Sequence, residues 1–409
     1  MDFSESGVAP GKRAGSAAPR FPSGFIWGTA TAAHQVEGGN WNNDWWAWEH
    51  APETPCREPS GDACDHYHRY PQDLDLLAAL GFNAYRFSLE WSRIEPEDGE
   101  FSMAALDHYR RMCDACRARG LDPIVTFHHF TTPRWVAARG GWTVPATADL
   151  FGRFAERAAR RLGDVVARVC TINEPNIVAD VGHRWGLFPP GMRDPALRLR
   201  ANEVLIRAHR EAVAAIRSGP GHPPVGLTLA MQDWQAVDGG EARRDQERAD
   251  MEDVFLAALA GDDFVGVQTY TRTLMGPDGP RPPAPEARTT QMGWEFWPDA
   301  LAACVRRAAA LTGLPVLISE NGVAVDDDRE RIEYVARALG GVLACLADGI
   351  VVDGYVYWSL LDNFEWAFGY GPRFGLVAVD RATQARHSRP SAAWLGSVAR
   401  ANALAPAPS

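Results

Sequence analysis

From Phe21 onward, short runs of apolar and β-branched residues alternate with longer stretches in which apolar positions recur every three or four residues. The short runs predict strands at 25–30, 83–88, 123–127, 166–172, 225–229, 264–270, 316–319 and 354–359. The longer ones predict helices at 72–80, 104–119, 149–162, 202–217, 243–260, 298–311 and 328–346, with 394–401 closing the series. Gly81, Gly120 and Gly313 stand where three of these helices should stop, because glycine enters the left-handed C-terminal conformation without a Cβ penalty.

Eight strand-then-helix units of a few tens of residues each fit a single closed (β/α)8 TIM barrel with elaborated loops at its C-terminal face. A doubly wound sheet would show a glycine-rich phosphate loop after an early strand, and neither GxGxxG at that place nor a P-loop occurs. The barrel domain is expected over 21–402. Tails are expected at 1–20, rich in Gly, Ala, Ser and Pro with almost no apolar periodicity, and at 403–409. The proline-rich stretch 277–285 reads as a long loop after the sixth strand, since the strand and helix pattern resumes at 294–301.

Composition narrows the function classes. The chain has 409 residues, 46% hydrophobic and 23% charged, which suits an ordinary globular protein. Its formal charge of -11 disfavours nucleic acid and anionic lipid as partners, and no basic stripe offsets it. No apolar window approaches the roughly 20 residues of a bilayer span, and the N-terminus lacks a charged-then-apolar pattern, so a cytoplasmic protein is expected. Seven scattered cysteines fit a reducing compartment; Cys113 and Cys116 form a lone CxxC within a helical stretch and read as ordinary helix thiols. No metal and no cofactor are expected, and the oligomeric state is left open.

In such a barrel the strand C-terminal ends build the active site. Those ends carry Arg86, His128 and His129, Asn173 with Glu174, Tyr270, Glu320 with Asn321, and Trp358. Adjacent His128 and His129 should point to opposite faces of a strand, so one of them can face the centre. Paired glutamates without a cofactor motif suit glycosidic bond cleavage, in which one carboxyl protonates the leaving oxygen and another supports the sugar cation. Of 15 Trp, six lie in 41–48 or 358–366, beside strand ends, where indole faces could stack on sugar rings.

Five long motifs then make a resemblance specific: residues 21–38 with Gln35 and Glu37, 85–96 around Arg86 and Trp91, Thr171-Ile172-Asn173-Glu174-Pro175, Ile318-Ser319-Glu320-Asn321-Gly322, and 358–366 ending in Glu365-Trp366. In this order, and over about 21–395, the chain resembles family 1 of the glycoside hydrolases, the retaining β-glucosidases and β-glycosidases. The resemblance implies that Glu174 is the acid/base and Glu320 the nucleophile that forms a covalent glycosyl-enzyme, with the carboxyls about 5–5.5 Å apart. It further implies that Asn173 bonds the sugar 2-hydroxyl, that Arg86 keeps Glu320 ionised and that Tyr270 orients it. Gln35, His129, Trp294, Trp358, Glu365, Trp366 and Phe374 are the expected substrate-binding residues, on a small-molecule β-glycoside or oligosaccharide. Glu365, placed near the 4- and 6-hydroxyls, would repel a 6-phosphate.

Departures from the family pattern are Gln268-Thr269-Tyr270, where Asn-Tyr-Tyr is usual, and Phe130, where Trp often follows the active-site His. The tryptophan-rich segment 40–49 either shapes an aglycone site or simply covers the barrel beside the first strand. Hydrolysis by an exo-β-glycosidase, most simply a β-glucosidase with tolerance for galactosides or fucosides, is the expected activity. A transglycosidase on the same pair and an inactive sugar-binding barrel are the alternatives.

Overall fold

The computed structural model describes residues 19–404. Eight parallel strands close into one barrel: β1 (Ile26–Ala30), β2 (Ala84–Ser88), β3 (Asp122–His128), β4 (Arg168–Asn173), β5 (Val225–Ala230), β6 (Phe264–Gln268), β7 (Val316–Asn321) and β8 (Val352–Trp358). Each pairs with the next in sequence, and β8 returns to β1 with Ile26 opposite Gly354 and Ala30 opposite Trp358. All eight predicted strands are present, displaced at their ends by at most a few residues.

Strand alternation divides the core in two. Tyr85, Phe87, Val125, Ile172 and Ile318 join the large apolar layer that packs the strands against the helices. Ala84, Ile124, Cys170, Phe264, Leu317 and Val356 form a smaller cluster, the apolar plug of the barrel interior. Above that plug the interior turns polar, with Arg86, Thr228, Asn173 and Glu320 all buried. Gly266 in β6 makes room for this layer: a Cβ there would lie 2.4 Å from Thr228 Cγ2 and 2.9 Å from Ser319 Oγ.

The helices begin and end as local chemistry dictates. Ser102, Asp194 and Asp327 cap helices Met103–Ala118, Pro195–Ser218 and Asp328–Ala347 by accepting from backbone amides. Gly81 and Gly313 end theirs in the left-handed conformation, as expected.

Three expectations need correction. The single helix expected at 243–260 is broken into Glu241–Arg248, a π turn at Ala249–Asp253 and two short pieces. Arg198 Nη1 and Asn202 Nδ2 take the Asp250 carbonyl, which competes with the regular helical ladder. The expected loop 277–285 contains a strand, Gly279–Arg281, which pairs with Arg272–Gly276 and through it with Asp233–Ala236 in a small sheet. Short, proline-bearing edge strands carry almost no alternation signal. Of the expected tails, 1–18 and 405–409 lie outside the described residues. Their described parts are tied together instead: Arg20 bridges Ala403, and Leu404 N donates to the Pro19 carbonyl at 3.0 Å.

All seven cysteines are free thiols, six of them buried. Burial pushes Cys116 up to about 12 and raises Cys113 as well, which leaves both without thiolate character. Among the described residues no helix is long and apolar enough to cross a membrane.

Candidate active site

Strict alternation would not deliver the two key side chains to the barrel mouth. With Cys170 and Leu317 facing inward, Ile172 and Ser319 would follow them. Both strands instead carry an irregularity at their C-terminal ends. Cys170 pairs with Gly226 but Asn173 pairs with Thr228, and Ile318 pairs with Val267 but Glu320 with Gln268. The extra residue shifts the phase, so Asn173 and Glu320 turn in while Ile172 joins the outer layer.

Arg86, rising from β2 through the barrel centre, ties these strands together. Its Nη1 donates to Glu320 Oε1 at 2.6 Å and to the Ser319 carbonyl at 3.3 Å, while Nη2 donates to Asn173 Oδ1 at 2.6 Å. Tyr270 Oη donates to the other oxygen, Glu320 Oε2, at 2.6 Å. Both carboxylate oxygens of Glu320 are thus fixed by donors, one of them cationic. Thr228, which sequence reasoning did not single out, donates to Asn173 Oδ1 at 3.3 Å and completes this layer.

Glu174 ends β4 in the left-handed conformation, φ 45° and ψ 58°, and its amide donates to the Thr228 carbonyl at 2.8 Å. Pro175 follows at the first position of helix Pro175–Ala179, where its missing N–H costs nothing. The Glu174 carboxyl is recessed in the cavity and accepts from Gln268 Nε2 at 3.2 Å. The surrounding protein, then the negative charge of Glu320, raise it well above the ordinary carboxyl value, with Arg86 opposing.

The remaining expected residues converge on the same place. Gln35, His129, Trp294, Trp358, Glu365, Trp366 and Phe374 line, with Glu174, Tyr270 and Glu320, one cavity of about 470 Å³. His129 lies parallel to Trp358 and Trp366 and its Nε2 accepts from Asn173 Nδ2 at 3.3 Å; burial, then the Arg86 charge, keep the ring neutral. His128 points the other way, edge-on to Trp142, and burial pushes it down to about 3. Phe374 packs against Tyr270. Glu365, raised to about 8 by desolvation and then by Glu320, accepts from Gln35 Nε2 at 3.4 Å.

Gln35 Oε1, His129 Nδ1 and Gln268 Oε1 have no protein partner although all three side chains are buried. Buried polar atoms are ordinarily paired, so three orphans on residues of one cavity are the pattern expected where a ligand rich in hydroxyls supplies the partners.

The tryptophan-rich segment does not line the cavity. Residues 44–49 form a short helix whose Trp45 packs on Trp366 at 4.5 Å and on Phe188 at 4.7 Å, so the segment buttresses the site from behind. Ile177, Val181 and Phe188 do line it, and sequence reasoning missed them. Their position just after the strand end that carries Glu174 was the only available signal. Among the described residues no cluster of three or more His, Cys, Asp or Glu has metal-binding geometry.

Comparison with known proteins gives a consistent answer. The model of glycosyl hydrolase family 1 matches residues 17–277 and 263–404. The chain is 34% identical to β-glucosidase A of Thermotoga maritima, over 94% of this chain and 99% of that one. It is also 34% identical to the bifunctional β-D-glucosidase/β-D-fucosidase of Bifidobacterium breve, over 91% and 97%. Among solved structures, β-glycosidase BGL167 superposes with a TM-score of 0.89 at 48% identity, covering 95% of this chain and 99% of that one. The Thermotoga maritima β-glucosidase in complex with noeuromycin superposes with a TM-score of 0.89 at 31% identity, covering 95% and 100%.

Proposed function

The chain belongs to glycosyl hydrolase family 1 and is an O-glycosyl hydrolase of the β-glucosidase type, and within that frame we propose the following division of labour in its cavity. Glu320 attacks the anomeric carbon of a β-glucoside. Glu174 gives its proton to the bridging oxygen, the C1–O bond breaks, and the aglycone leaves as an alcohol while the sugar stays esterified to Glu320. The one observation that carries this reading is the pairing of opposites: Glu320 held by Arg86 and Tyr270, and Glu174 raised in the same cavity.

The second half follows from the first. Once Glu320 is esterified, its charge no longer raises Glu174, whose carboxylate becomes easier to keep ionised. Glu174 then accepts a proton from water, the hydroxide adds to C1, and the Glu320–sugar bond breaks. Two displacements on one carbon restore the β configuration.

Asn173 stands next to both Arg86 and His129, where it can hold the 2-hydroxyl. Gln35, His129, Glu365 and Trp366 bind the remaining hydroxyls, with Trp358 beneath the ring and Phe374 and Trp294 beside Tyr270. Glu365, buried and with no cation among the groups that act on it, offers a 6-phosphate no counter-charge and so favours unphosphorylated sugars. Cytoplasmic action is part of the same proposal, supported by seven cysteines left as thiols.

A panel of aryl glycosides differing only in the sugar tests it. β-Glucoside should be hydrolysed best, β-galactoside or β-fucoside more slowly, and 6-phospho-β-glucoside poorly. No turnover of any β-glycoside, or a phosphoglucoside exceeding its matched glucoside, contradicts the proposal.

A further inference from the structure

The residues that follow Glu174 in the chain add apolar side chains to the cavity lining, and in the reading above Glu174 is the group that protonates the leaving oxygen. Helix Pro175–Ala179 and the π turn Asp180–Arg184 place Ile177 and Val181 three and seven residues beyond Glu174, and both line the cavity. Phe188 follows, 5.8 Å from Phe130, and Leu274 and Pro283 contribute from the small sheet and the loop after it.

Of the polar side chains in the same lining, Arg272, Glu295 and Thr273 are engaged with protein partners, while Arg281 adds a guanidinium. Arg272 forks onto Glu295 with bonds of 2.8 and 2.7 Å and lies 3.6 Å over the Trp297 ring. Gln232 Oε1 is occupied by Thr273 Oγ1. The contrast with the sugar end, where polar atoms stand without partners, is direct. The chain segment that carries Phe188 also exposes apolar side chains outside the cavity lining: Trp185 and Leu187 are each 51% exposed and Met192 45%.

Resting on the glycosidase reading above, we propose that the leaving-group half of this site is built for a hydrophobic alcohol, so that β-glucosides of alkyl or aryl alcohols are its substrate class and disaccharides are not. A second sugar placed against Phe130, Ile177, Val181 and Phe188 would lose water from its hydroxyls without gaining partners. An apolar aglycone gains with every methylene it removes from water.

The test is kcat/KM for a series of n-alkyl β-glucosides from methyl to octyl, whose leaving groups are chemically alike, beside cellobiose. The expected result is a rise of about two- to fourfold per methylene through at least hexyl, carried mainly by KM, with cellobiose at least tenfold below hexyl glucoside. Phe188→Ala and, separately, Ile177→Ser should each lower the octyl-to-methyl ratio by about tenfold; as a ratio within one preparation it is insensitive to a misfolded fraction. A flat series, or cellobiose equal to or better than hexyl glucoside, overturns the proposal while leaving the glycosidase reading intact. Failure to turn over methyl, octyl and aryl glucosides alike overturns both.

Discussion

Arg86 Nη1 meets Glu320 Oε1 at 2.6 Å in a site where Arg86 is only 1% exposed and Glu320 4%. The same guanidinium reaches Asn173 through its second terminal nitrogen, so one planar group sets the distance between β4 and β7 at the level of the chemistry. A lysine keeps the charge but has no rigid fork. Arg86→Lys should therefore lower kcat by about 100- to 1,000-fold, with circular dichroism unchanged. Near-wild-type kcat would remove Arg86 from the account.

Glu174→Gln keeps the shape of the side chain and removes its proton. In kcat/KM, which reports the step up to the glycosyl-enzyme, glucosides with poor leaving groups should lose about 100- to 10,000-fold. Those whose leaving group departs without protonation should stay within about tenfold. Equal losses for both kinds would mean that Glu174 is no general acid.

Gln268 replaces the asparagine usual at the end of the sixth strand, and its amide donates to Glu174 Oε1 at 3.2 Å. That bond favours the ionised carboxyl and leaves the other oxygen to carry the proton. Gln268→Leu should move the alkaline limb of the kcat/KM profile upward by about half a unit to one unit, because the donor is lost and the surroundings become less polar. An unmoved or lowered limb contradicts this positioning role.

Away from the chemistry, Glu252 is 1% exposed and burial raises it to about 7, although its Oε1 accepts from Gln232 N at 3.0 Å and Trp234 Nε1 at 2.6 Å. Between about 4.5 and about 7 the folded protein holds a proton on this group that the unfolded chain has released. Its contribution is thus fully present below 4.5 and is lost as pH rises through 7. At about 1.4 kcal/mol per unit, the loss is about 3 kcal/mol. Glutamine preserves the accepting oxygen, so Glu252→Gln should flatten the fall in Tm between pH 5 and 8; a wild-type slope in the variant would contradict the assignment.

The barrel was legible because its signal is local: eight apolar runs, alternating with helical periodicity, survive without knowledge of any partner. Five motifs also located Glu174 and Glu320. What the chain did not disclose depends on neighbours. Alternation counted from Leu317 turns Ser319 inward, and only the irregular pairing of β7 with β6 brings Glu320 to the centre. The π turn at Ala249–Asp253 reflects side chains of a different helix taking the Asp250 carbonyl. Phe188 lines the cavity because Trp45 and Phe130 pack beside it, a contact between segments more than fifty residues apart.

The most direct measurement is covalent trapping. A 2-deoxy-2-fluoro-β-glucoside with a good leaving group slows both displacements but hydrolysis more, so the glycosyl-enzyme should accumulate with a one-to-one burst of leaving group. Peptide mass spectrometry should then find the fluorosugar on Glu320, and Glu320→Gln should abolish both burst and label. Attachment to any other residue, or steady turnover with no covalent species, would contradict double displacement through Glu320.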